Sequence, residues 1–109
     1  NYIKPADSKP YLVIGEVKYG KPILDRVIKP DVSIGDASRC ALISMDSTLK
    51  SDLTVGPPID FVVYKKNEYK ILSQKCLNIS DDEYSKVCNQ WSDGIFKIFN
   101  SFPRFDWEK

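Results

Sequence analysis

The feature that most constrains this chain lies near its C-terminus. Ser80-Asp81-Asp82-Glu83 has the S-x-x-E form of a helix-starting capping box, with three acids where the positive end of the helix dipole favours them. Tyr84, Val87, Cys88, Trp91, Ile95, Ile98, Phe99 and Phe102 then recur at helical spacing, and Pro103 stops the run. So long an aromatic stripe is stable only against a partner surface. A hairpin just upstream is the simplest candidate. The chain breaks at Gly56-Pro57-Pro58, residues 59–65 read as a strand, Lys66-Asn67-Glu68 as a turn, and residues 69–72 as the returning strand.

Upstream, residues 11–14 form an apolar run ended by Gly15, as in a strand covered on both faces. Gly20-Lys21-Pro22 opens a short helix, with Pro22 suited to its first position, and Pro30 closes it. A second helix starts at Ser33, with Asp36 completing a cap. Its apolar positions Ile34, Ala37, Ala41, Met45 and Leu49 are widened by Cys40, Leu42 and Ile43, so it is covered on more than one side. The order is strand, helix, helix, strand, strand, helix: an α/β (α+β) class without βαβ alternation. The spacing of Gly15 and Gly20 does not make a phosphate loop, so a dinucleotide fold is not expected.

The chain of 109 residues fits one domain, with an ordinary 42% hydrophobic content. Its charge of +1 comes from interleaved acids and bases, which argues against nucleic-acid binding; Lys65, Lys66 and Lys97 read as solvated surface. No apolar run reaches membrane-spanning length, and the N-terminus is unlike a signal peptide. Cys40, Cys76 and Cys88 are odd in number and widely spaced. They read as buried, reduced thiols of a cytosolic protein, not a disulfide framework or zinc site. The Asn78-Ile79-Ser80 sequon is a short chance match.

There is no histidine. This removes Ser-His-Asp and Cys-His catalysis and most transition-metal sites, so neither a metal nor a cofactor is expected. The acids at 81–83 read as helix-start residues, and Asp25-Arg26 and Asp46-Lys50 as surface pairs. Cys40 and Cys88 lie on apolar faces, where a thiol stays protonated. Asp52 is less ordinary, an anion at the negative end of a helix. Either the following turn donates hydrogen bonds to it, or a cation from elsewhere offsets the helix end. Phe102, Phe105 and Trp107 form either a satellite of the core or an anchor for a partner chain.

Three segments together resemble a known family. They are Gly15-Glu16 with Lys18-Tyr19-Gly20-Lys21-Pro22-Ile23-Leu24-Asp25-Arg26; Ala41 to Thr48 leading into Ser51-Asp52-Leu53-Thr54-Val55-Gly56-Pro57-Pro58; and Ser80 to Tyr84 with Gln90-Trp91-Ser92-Asp93-Gly94. From about Tyr11 to Phe102 the chain is similar to the C-terminal half of Anbu, the bacterial ancestral beta subunit family related to the proteasome. The resemblance implies an N-terminal-nucleophile fold, a four-layer α-β-β-α sandwich. It also implies a threonine peptidase whose nucleophile uses its own α-amine as base, a chemistry that needs no histidine.

That threonine, and the aspartate and lysine that support it, would lie upstream, since residue 1 is Asn. One site feature carries over: Asp52 and Gly56 match the Asp and Gly of the family's Asp-x-x-Ser-Gly turn beside the nucleophile, with Val55 in place of the Ser. Of the family's Gly-Ser-Gly turn, Gly15 is kept, followed by Glu16 and Val17. The implied setting is cytoplasmic, with like subunits as partners and a peptide or protein as substrate. Residues 1–109 would then be a partial beta-subunit domain, whose upstream half pairs with the strands at 11–15 and 59–72. The competing reading is a non-catalytic assembly or protein-binding module.

Overall fold

The structure is a computed structural model and describes residues 3–15, 17–78 and 80–109. Asn1, Tyr2, Glu16 and Ile79 lie outside the described residues, so the turn at Glu16 and the sequon are not placed.

Three helices and one hairpin make up the fold: α1 Lys21–Val27, α2 Ile34–Ser51, β1 Ile59–Tyr64, β2 Ile71–Leu77 and α3 Asp82–Asn100, with a 3-10 turn at Asp106–Glu108. This is the expected α+β class. α2 starts as its sequence dictates: the Asp36 amide donates to Ser33 Oγ at 3.0 Å. α1 begins one residue before Pro22, so the proline occupies the second helical position.

Two expectations about strands need correction. Residues 11–14 form no strand. A strand needs a ladder partner for its amides and carbonyls, and the hairpin, the only sheet among the described residues, is taken up by β1 and β2. Tyr11 and Val13 are half-buried while Leu12 and Ile14, the latter 98% exposed, are open, so the apolar run is covered on one side at most. The second hairpin strand runs over Ile71–Leu77 instead of 69–72. Tyr69 has φ 54° and Asn67 φ 69°, left-handed conformations that belong to the turn and not to a pleated strand. Pairing is antiparallel from Ile59 opposite Leu77 to Tyr64 opposite Ile71, with a bulge at Val63/Tyr64.

The expected capping box of the last helix does not form. Asp81 is the N-cap, and its carboxylate accepts from the Asn78 amide at 2.7 Å. Glu83 turns away to Lys75 on β2, at 2.6 Å. Asp81 thus closes the turn that leaves β2, and Glu83 ties the helix start to the hairpin.

The core gathers where the open end of the hairpin meets the helices. Ile59 and Leu77, paired across the ladder, pack with Tyr84 and Cys88 of α3; Leu42 and Leu49 of α2 and Phe61 close around them. The stripe of α3 therefore packs first against α2 and the hairpin end, and only over its N-terminal half. A second contact joins α1 to α2, with Ile28 and Cys40 buried. Gly20 permits that approach: a Cβ there would overlap Ser44 Oγ and sit 3.1 Å from the Ser44 carbonyl oxygen.

Candidate functional site

The residues singled out by sequence meet at the end of α2. Asp52 is the C-cap, with extended φ −119° and ψ 106°, and its amide still donates to the Thr48 carbonyl at 2.8 Å. The chain then folds back. Asp52 Oδ1 accepts from the Thr54 amide at 2.9 Å and the Thr54 hydroxyl at 2.6 Å, and the Val55 amide donates to the Asp52 carbonyl at 3.2 Å. This Asx turn is the first of the two explanations for an anion at a helix C-terminus. The Thr54 hydroxyl, then its amide, and further the positive charge of Lys18 hold the Asp52 carboxyl below its ordinary value. The half-buried carboxylate is thus ionised at neutral pH and fixed in direction.

Gly56 lies on the same turn, exposed, with open space where a Cβ would stand. Among the described residues no close approach requires glycine there. Gly15 has φ 90°, the left-handed region that favours glycine. Val55 reaches beyond the turn into an apolar cavity of about 670 Å³ between residues 10–15 and the facing sides of α1 and α2. Leu24, Ile28, Ala41 and Met45 line its helical wall, and Leu12 and Ile14 its other side.

Two polar clusters differ from their sequence reading. Asp46 was expected on the surface with Lys50, yet it is only 8% exposed. The ion pair exists, Lys50 Nζ lying 3.0 Å from Oδ2, but α3 covers the carboxylate and the Tyr84 hydroxyl donates to Oδ1 at 3.4 Å. Burial first, then the interactions with neighbouring Cys88 and Asp46, push the Tyr84 phenol well above its ordinary range. Asp25 pairs not with Arg26 but with Tyr11, Lys21 at 3.0 Å and Lys9 at 3.6 Å. These partners, the Tyr11 hydroxyl foremost, bring its carboxyl down to about 2. The i,i+4 pairs Lys21–Asp25 and Asp46–Lys50 are local, but the tyrosines that complete the clusters lie 14 and 38 residues away, where no local pattern displays them.

Of the thiols, Cys40 and Cys88 are buried, and desolvation raises both above their ordinary value. Cys76 is exposed, contrary to the expectation that all three are buried, because it faces outward on β2. Among the described residues no group of three or more His, Cys, Asp or Glu is arranged to hold a metal, and no helix is long and apolar enough to cross a membrane.

Against solved structures the likeness is extensive. Anbu from Hyphomicrobium sp. strain MC1, in its Gly-1 mutant form, matches 97% of this chain at 42% identity with a TM-score of 0.89. The chain is Anbu-like over nearly its whole length. Anbu (ancestral beta-subunit) from Yersinia bercovieri matches 97% of the chain at 39% identity and TM-score 0.91. The helically assembled Anbu complex from Pseudomonas aeruginosa matches 96% at 38% and 0.88. The chain spans only 45%, 46% and 44% of those three Anbu chains, less than half of each. No family model matches the sequence. No curated protein sequence matches it. The Anbu likeness supports a bacterial, proteasome-like subunit family for this chain.

Proposed function

We propose that this chain is the C-terminal portion of a cytoplasmic, proteasome-like threonine peptidase subunit that hydrolyses peptide bonds and assembles with like subunits. The observation that carries the reading is the match to Anbu chains over 97% of this chain but only about 45% of theirs. The uncovered cavity beside Tyr11–Gly15 supports it, because apolar walls of that size call for further chain to cover them. In this reading an upstream segment supplies the threonine nucleophile, whose own amine takes the hydroxyl proton as it attacks the peptide carbonyl.

Asp52 and Gly56 belong to the turn beside that threonine. Asp52 presents an ionised carboxylate held by Thr54, suited to a cationic amine or lysine from the upstream segment. It is a positioning residue, not the nucleophile. The P. aeruginosa relative is described as a helical assembly, and like-with-like association is carried to this chain on that ground.

The test is the intact mass and N-terminal sequence of the native protein, followed by treatment with a threonine-directed electrophile such as a β-lactone. The expected result is a subunit near twice 12.5 kDa that begins with threonine and gains one equivalent of label at that residue. A native chain of 12.5 kDa, or a larger one that takes no label at an N-terminal threonine, overturns the peptidase reading. A larger, unlabelled protein that still assembles would favour a non-catalytic assembly module.

A further inference from the structure

Thr54 grips Asp52 twice. Its amide donates to Asp52 Oδ1 at 2.9 Å, and its hydroxyl donates to the same oxygen at 2.6 Å. A hydroxyl that close to an ionised carboxylate makes a charge-assisted bond, one of the stronger kinds. It also does most to hold the Asp52 carboxyl below its ordinary value, ahead of the Thr54 amide.

The two bonds have different consequences. With the amide alone, the carboxylate is tied at one point and can turn about that bond. A second donor from another direction fixes its plane. Both donors converge on Oδ1, so Oδ2 accepts from neither and points away from the grip.

The turn offers no substitute for that hydroxyl. Leu53 is 97% exposed and apolar, Val55 lines the apolar cavity, and Gly56 has no side chain. Among side chains 53–56, only Thr54 carries a donor. Lys18 adds its positive charge from outside the turn, with a smaller effect. Thr54 itself is exposed and takes no part in the core around Ile59, Leu77, Tyr84 and Cys88. Its hydroxyl therefore serves the carboxylate, not the packing.

We propose that Thr54 is a positioning residue whose hydroxyl fixes the Asp52 carboxylate with Oδ2 presented to the cationic amine or lysine of the upstream segment. The inference rests on the reading of this chain as part of a threonine peptidase subunit. As the nucleophile's amine takes the hydroxyl proton it becomes an ammonium, while Asp52 keeps its own charge. A carboxylate already aimed at that ammonium stabilises it without having to reorient. Thr54 touches neither substrate nor nucleophile and acts only through Asp52.

The test uses the intact native protein and follows the rate at which its N-terminal threonine takes up the β-lactone, read by mass spectrometry. Thr54→Val keeps the shape and loses the hydroxyl. It is expected to slow labelling roughly ten-fold or more, with the urea midpoint little changed. Thr54→Ala, which lacks the hydroxyl without the β-branch, is expected to show the same loss. Thr54→Ser restores the hydroxyl and is expected to label at close to the wild-type rate. Ser51→Ala removes an exposed hydroxyl just before Asp52 and is expected to behave as wild type. In an Asp52→Asn background Thr54→Val is expected to make no further difference, because no carboxylate is left to hold.

Wild-type labelling rates in Thr54→Val and Thr54→Ala overturn the assignment of Thr54 and leave the peptidase reading standing. An equal loss in Thr54→Ser, an undiminished loss in the Asp52→Asn background, or collapse of the urea midpoint in both Thr54→Val and Thr54→Ala marks a structural role instead and overturns it too. A wild-type protein that takes no label overturns both.

Discussion

At the scale of single residues, the acids that matter are recognised by their donors and not by their place in the sequence. Asp25 joins Lys9, Tyr11 and Lys21, and so ties the extended segment before Gly15 to α1. Its carboxyl is lowered from 3.8 to about 2. A group whose folded value is depressed stabilises the fold above its unfolded value, and loses that contribution as pH falls through the folded one. Asp25→Asn should therefore lower Tm by a constant amount from pH 7 down to pH 5. The gap should narrow below about pH 3.8 and vanish only below about pH 2, once the carboxyl is protonated in the folded protein too. A gap that persists at pH 1.5 would mean that the carboxylate charge is not the source.

The thiols sort by the same physics. Cys40 and Cys88 are buried and raised, so iodoacetamide at pH 7 should leave both unmodified in the native protein and alkylate both in urea, as read by peptide mass spectrometry. Rapid native labelling of either would contradict their burial.

Among the elements, α2 was legible because everything that defines it is local: Ser33 and Asp36 at its start, the wide apolar stripe, and Asp52 at its end. The cap of α3 was not. Its two acids found partners upstream: Asp81 takes the Asn78 amide three residues back, just past β2, and Glu83 takes Lys75 on β2, a pairing that no helical spacing displays. The burial of Asp46 was hidden for the same reason, since α3 brings Tyr84 over it from 38 residues away. That crossing can be measured. Tyr84→Phe removes one long hydrogen bond and should cost about 1 kcal/mol or less. Tyr84→Ala empties the centre of the core and should cost roughly 3–5 kcal/mol. Equal urea midpoints for the two variants would show that the ring is not what packs α3 on the hairpin end.

Glycines divide in the same way between close contact and open space. Gly20→Ala forces a Cβ into Ser44 where α1 crosses α2, with an expected cost of about 1–3 kcal/mol. Gly56→Ala meets nothing within 4 Å and should leave stability within about 0.5 kcal/mol of wild type. The two residues of the candidate turn thus came from the resemblance to a family. Local physics explains how Thr54 holds Asp52, but it gives no reason within this chain for a glycine at 56.

At the scale of the whole molecule, the uncovered surface outweighs the core. Six hydrophobic residues are buried among those described, none of them a fully buried large side chain, while Leu12, Ile14, Leu53, Phe96 and Trp107 stand largely in solvent. The radius of gyration is 16.4 Å, against about 13 Å for a compact domain of this length. A hairpin with both edges open is marginal on its own, and residues 11–14 have the composition of a strand but no strand to join.

The sequence already implied this, since helices apolar on several sides need more layers than 109 residues provide. The 109-residue chain prepared by itself should therefore unfold over a broad urea range, bind a hydrophobic dye such as ANS, and self-associate at micromolar concentration. The same residues within the intact protein should share one sharp transition, because the cavity wall, the hairpin edges and the end of α3 are then covered. Sharp, cooperative unfolding of the isolated chain as a monomer would require its core to suffice alone. The exposed aromatic stripe would then be a surface feature with no covering partner, and the case for a larger subunit would fall with it.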